Sequence, residues 1–121
     1  MLPGLAVMMC LGLPASAATA DPAESDPTLY QVVFENERVR VLRYHDRPGD
    51  RTSMHHHPDF VLLALGPFRR RLTFPDGTIR ERAFRAGEVA WNGAQSHAGE
   101  NIGDTDTDVL IVELKGEASP R

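Results

Sequence analysis

Four of the five histidines in this 121-residue chain fall at two places, His55-His56-His57 and His97. Neutral imidazole is a good ligand for divalent transition metals. An i, i+2 pair becomes chelating when the backbone is extended, because alternate side chains of a strand share a face. On a strand, His55 and His57 would point to one side and His56 to the other. His97, brought in from a second strand, would complete a three-imidazole set with coordination positions left open for water or substrate. An H-x-H pair alone fits a solvated strand equally well, so the surrounding elements decide its meaning. Other chemistries find little support: there is no phosphate-binding glycine loop, no nucleophile beside a base, and no zinc-ribbon cysteine pattern. Alternation places Glu100 on the face opposite His97, so it is no candidate base. His45 and His56 read as surface or supporting groups.

Such histidines require strands, and the chain is patterned for them. Short apolar stretches alternate with turn signals throughout, and apolar residues nowhere keep helical spacing for three turns. Candidate strands are Gln31 to Phe34, Val39 to Tyr44, Ser53 to His57, Phe60 to Leu65, Arg69 to Phe74, Thr78 to Phe84, Glu88 to Asn92, His97 to Asn101 and Asp108 to Leu114. Phe74-Pro75-Asp76-Gly77-Thr78 is the clearest hairpin, with Pro and Asp preset for the turn and Gly supplying positive φ. Strands spaced about ten residues apart predict an all-β sandwich or barrel. The continuously apolar Phe60–Leu65 and Val109–Val112 are expected to be covered on both faces. Arg69-Arg70-Arg71, Arg80, Arg82 and Arg85 lie on the two arms of the hairpin. With a net charge of -4, and Glu81 and Glu88 interleaved, a solvated face is expected there and not a nucleic-acid site.

Gly49, five residues, His55, one residue, His57 resembles the opening of the first cupin motif, G-x5-H-x-H. Gly87, five residues, Gly93, three residues, His97, three residues, Asn101 resembles the second motif, and the two occur in the family's order. The resemblance extends over about Val32 to Leu114. It implies a double-stranded β-helix, a jelly-roll barrel holding a metal near its mouth, with His55, His57 and His97 as ligands. The family's motif places a ligand Glu after three or four intervening residues beyond the second His, where this chain has Val61 and Leu62. Gly93 stands where Pro is usual, and Gln95 where Gly is usual. The implied site therefore has three neutral imidazoles and no carboxylate, leaving the ion's charge uncompensated.

Phe60, Val61 and Trp91 are the expected pocket-lining residues, and Asn101 either closes a turn or hydrogen-bonds behind His97. The ion could be Fe, Zn, Mn, Ni or Cu, since imidazole does not select among them. The functional expectation is a metal-dependent enzyme acting on a small organic substrate, dioxygenation included. The alternative is a non-enzymatic cupin module that binds a small molecule or metal. A homodimer, its sheet edges paired between chains, is compatible with both.

The remaining composition sets the boundaries. Hydrophobic residues make up 41% and charged residues 25% of the chain, ordinary values for one globular domain. Residues 1–20 contain no Asp, Glu, Lys or Arg. Leu2 to Leu13 is a short apolar run ahead of Ala15-Ser16-Ala17, which predicts a secretory signal cleaved after Ala17 or Ala20. Export to the periplasm or beyond follows, with no membrane association once the segment is removed. Cys10 is the single cysteine, so the mature chain has no disulfide. Residues 21–28 read as a flexible leader, 29–114 as the barrel and 115–121 as a flexible tail.

Overall fold

The computed structural model describes residues 20–116; the expected signal segment up to Thr19, and the tail beyond Gly116, lie outside them. One turn of helix, α1 (Pro22–Ser25), precedes nine strands: β1 (Tyr30–Glu35), β2 (Val39–Asp46), β3 (His55–His57), β4 (Phe60–Ala64), β5 (Phe68–Thr73), β6 (Ile79–Phe84), β7 (Val89–Asn92), β8 (Gln95–Asn101) and β9 (Thr107–Leu114). Each expected strand is present, with ends displaced by a few residues. The Phe74–Thr78 hairpin closes as expected, with Phe74 N–H donating to the Thr78 carbonyl at 2.8 Å and Gly77 at φ 88°.

The strands form two antiparallel sheets, ordered β1-β2-β9-β4-β7 and β3-β8-β5-β6. This is the double-stranded β-helix that the motif spacing implied. Between the sheets lies a core of Tyr30, Leu42, Tyr44, Phe60, Ala64, Phe68, Phe84, Val109 and Ile111. Each contributes through one face of its strand, as the two-residue period requires. Both glycines that open the histidine motifs sit in the left-handed region, Gly49 at φ 88° and Gly87 at φ 82°, where a side chain would be strained.

Two elements differ from expectation. β4 and β9 are not covered on both faces: Phe60, Ala64, Val109 and Ile111 are buried, while Val61, Leu63, Leu110 and Val112 are only half-buried on the outer face. Their continuous apolarity reflects an apolar exterior. Residues 21–28, read as flexible from composition, pack on the barrel instead. Asp21 caps α1, accepting from Ala23 N–H at 2.9 Å, and pairs with Arg40 at 2.7 Å; Pro22 is buried. His56 N–H donates to the Ala20 carbonyl at 2.8 Å. These long-range contacts outweigh the leader's lack of large apolar side chains.

Candidate metal centre

Strands β3 and β8 pair antiparallel with His55 opposite His97. Because β3 is extended, His55 and His57 both turn inward, at 0% and 1% exposure, and His97 joins them at 7%. Ring centroids stand 4.8 Å apart for His55 and His57, 4.9 Å for His55 and His97, and 5.2 Å for His57 and His97. One nitrogen from each lies within 4.8 Å of the others. The three form a buried cluster that could hold a metal ion. His56 points away, its Nδ1 2.9 Å from Ser96 Oγ, and exposed His45 lies 3.2 Å from Asp106.

Each ligand candidate is oriented through its Nδ1. His57 Nδ1 is 2.7 Å from Glu113 Oε2, His55 Nδ1 is 2.8 Å from the Ser53 carbonyl, and His97 Nδ1 is 2.9 Å from Gln95 Oε1. A carboxylate and a carbonyl only accept. The Gln95 amide is fixed with its oxygen toward His97, because its nitrogen donates to the Gly93 carbonyl at 3.0 Å. Each Nδ1 therefore carries the proton, and each Nε2 presents a lone pair. The donor set fits a divalent ion that takes imidazole: three neutral nitrogens, uniform in tautomer, with supporting partners in place.

Burial favours the neutral form of His55 and His97. Desolvation, with His57 nearby, pulls the His55 pKa from 6.5 to about 4. Desolvation, with both neighbouring histidines, pulls that of His97 to about 2. The Tyr30 hydroxyl lies 3.2 Å from His55 Nε2; burial raises its pKa well above the ordinary phenol value.

The absent motif Glu is partly answered from another strand. Leu62 lines the cavity wall and Val61 faces outward, so neither position offers a carboxylate. Glu113, 2% exposed, supplies one behind His57. Its other oxygen accepts from Arg40 Nε at 2.9 Å, and Arg40 also binds Asp21. A chain Asp21–Arg40–Glu113–His57 thus links the leader to the cluster. The expectation that the site's charge is wholly uncompensated is corrected to this extent. Glu113 was legible in principle: it lies in phase with the inward Val109 and Ile111, and a carboxylate at such a position needs a partner.

His57 and His97 open onto an interior cavity of about 50 Å³ lined by Tyr44, Phe60, Leu62, Phe68, Phe84 and Ile111 among others. Of the expected lining residues, Phe60 is present, its ring 4.8 Å from His57. Val61 and Trp91 are not. Alternation that turns Phe60, Leu62 and Asn92 inward turns Val61 and its cross-strand partner Trp91 outward, and Trp91 is 60% exposed. Asn101 closes a turn and does not touch His97: its amide donates to Asp46 Oδ1 at 3.0 Å and to the Thr105 carbonyl at 2.9 Å. Four residues of extended strand, about 13 Å, separate it from His97.

The hairpin's basic residues are also not one solvated face. Arg70 turns inward between Phe68 and Leu72, donating to Asp46 Oδ2 at 2.9 Å, with its guanidinium 4.7 Å from the Tyr44 ring centre. A Cβ at Gly99 would stand 2.2 Å from its Nη2, so the glycine leaves room for it. Arg82, its cross-strand partner, also lines the cavity. Arg71, by contrast, pairs with Glu81 at the surface.

No protein-family model and no curated protein sequence matches the chain. Solved structures do. A cupin domain from Bordetella pertussis Tohama I shares 26% identity at a TM-score of 0.67, covering 73% of this chain and 93% of that one. A cupin 2 conserved barrel domain protein from Salinispora arenicola has 22% identity and a TM-score of 0.56, covering 86% and 87% of the two chains. A double-stranded β-helix protein from Klebsiella pneumoniae has 21% identity and a TM-score of 0.58, covering 75% and 79%. With its two-sheet barrel, its paired motifs and the histidine cluster between them, the chain is a small domain of the cupin superfamily.

Proposed function

We propose that this is an exported metalloprotein that holds one divalent ion on His55, His57 and His97 and uses it on a small organic substrate, dioxygenation being the leading reaction. The observation that carries this reading is the uniform tethering of the three Nδ1 atoms to acceptors. A surface or ornamental histidine has no need of it. When bound, such an ion would polarise a coordinated oxygen, and as Fe(II) it would supply electrons for dioxygen chemistry.

The chain's own residues define what surrounds that chemistry. The aromatic and aliphatic walls exclude water, which strengthens electrostatic interactions inside. Glu113 and Ser53 fix ring orientation. Tyr30, kept protonated by burial, would have its O–H released toward the cavity once His55 Nε2 is otherwise engaged. Among the described residues no helix is long and apolar enough to cross a membrane. Within this reading, signal cleavage after Ala17 is favoured over Ala20, because it retains the carbonyl that accepts from His56 N–H. Two copies associate through the apolar exterior of the larger sheet.

The second reading, a non-enzymatic binding module, is favoured by the apolar residues at the motif's Glu position. Oxygen electrode measurements on Fe(II)-loaded protein with small chelating carbonyl compounds separate the two. Uptake that disappears in His97→Ala supports the enzyme; stoichiometric metal with no uptake across the panel supports the binding module.

A further inference from the structure

Arg70 and Arg82 sit directly opposite each other on β5 and β6, and both line the cavity. Like charges facing across a strand pair repel. For Arg70 the repulsion is offset by Asp46, 2.9 Å away. Among the described residues Arg82 has no carboxylate in ion-pair contact, Glu88 acting on it only at longer range; its guanidinium Nη1 donates to the neutral Asn92 Oδ1 at 2.8 Å. Its guanidinium lies over Phe84, 4.6 Å from the ring centre. Partial burial costs the cation hydration and lowers its pKa from the ordinary value.

Asn92 carries the second observation. Its amide cannot be turned over, since the oxygen must face the Arg82 donor. That leaves Nδ2 fully buried with no acceptor, on a residue 9% exposed that lines the same cavity. A cation in ion-pair contact with no carboxylate and an amide N–H without an acceptor thus belong to two hydrogen-bonded residues that line one cavity. A buried donor left without an acceptor keeps the full cost of its lost hydration, so native proteins rarely retain one without use.

We infer that Arg82 and Asn92 form an anion subsite in the barrel, and that the ligand of the proposed metal cavity is a small organic carboxylate, its carboxylate held by these two residues. The inference rests on the cavity reading above for the position of the ligand, though the subsite itself needs no metal. The walls, Phe60, Leu62, Phe84 and Ile111 among them, favour a carbon skeleton over an inorganic oxoanion. A volume of about 50 Å³, at roughly 10–15 Å³ per water-sized group, limits the ligand to a few heavy atoms.

Calorimetric titration of chelator-treated protein with propanoate, and with propanamide as its neutral counterpart, tests the subsite. Wild-type protein is expected to bind propanoate at least about tenfold more tightly than propanamide. Arg82→Gln is expected to abolish that preference while leaving metal content unchanged. Asn92→Asp supplies the missing carboxylate from within, so it should raise the melting temperature and eliminate propanoate binding. Equal affinity for the two probes, unaltered propanoate binding in Arg82→Gln, or Asn92→Asp protein that still binds propanoate would each overturn the subsite. Metal-loaded wild type that ignores propanoate would overturn it and leave the metal reading standing. Propanoate binding that depends on Arg82 in protein that takes up no metal would support the subsite and remove the metal.

Discussion

At the scale of residues, the cluster is defined as much by what stands behind each imidazole as by the rings. A histidine whose Nδ1–H is held by an acceptor has one tautomer and one usable lone pair, and the loss of such a partner costs metal affinity about 10- to 100-fold in characterised sites. Glu113 is the strongest of the three partners because it is charged and 2% exposed. Glu113→Gln should weaken metal binding by about that factor, followed by competition titration with a chromophoric chelator; affinity equal to wild type would remove Glu113 from the site. The ligand histidines were readable because i, i+2 spacing and a family-like motif coincided. Glu113 was readable only as an inward carboxylate in need of a partner; no spacing reveals that the partner is His57 or that Tyr30 meets His55, since both approach from distant strands. Arg70 and Arg82 were misread as solvated because a run of basic residues was taken as a unit. The alternation of Phe68, Arg70 and Leu72 held the correct answer.

At the scale of elements, the same period of two explains both the success and the errors. Turn signals located all nine strands, because Gly, Pro, Asn and Asp punctuate the chain at each reversal. The faces were less legible: Val61 and Trp91 looked like lining only until the pleat assigned Phe60 and Asn92 to the interior. The exterior that results is apolar across four strands. Val41, Val112, Val61 and Trp91 are register neighbours along β2, β9, β4 and β7, and Leu110, Leu63 and Val89 form a second row. Trp91 is 60% and Val89 63% exposed. A contiguous apolar patch of this kind is a candidate association surface, and one without charges at its centre can pair with a second copy by two-fold symmetry. Sedimentation equilibrium should give twice the monomer mass for the wild type and the monomer mass for Trp91→Glu. A monomeric wild type would contradict the assignment.

For the whole molecule, burial of neutral histidines couples stability to pH. The folded pKa values of His55, about 4, and His97, about 2, lie below the ordinary 6.5. The unfolded chain therefore binds protons first as pH falls, and its population grows. Stability contributed by the two neutral rings is complete above about pH 6.5 and is lost progressively as pH falls toward 4, at roughly 1–3 kcal/mol per pH unit. Melting temperatures of metal-free protein should drop over that interval, and the drop should be shallower in a His55→Gln, His97→Gln double variant. A flat profile down to about pH 5 would show that the rings are not held neutral. The ordered leader belongs to this scale too: residues 21–28 join the barrel through Asp21–Arg40 and Arg40–Glu113, contacts of long sequence separation that composition could not reveal. A barrel of this size buries a limited core, so a ligand bound only by the native state adds materially to its stability.

The account stands on the three histidines acting as one metal site, and elemental analysis of protein purified without a polyhistidine tag tests this most directly. The expected result is close to one divalent ion per chain, lost in both His57→Ala and His97→Ala. Wild-type protein that remains metal-free after exposure to Fe(II), Zn(II), Mn(II), Ni(II) and Cu(II), with unaltered stability in both variants, would contradict it.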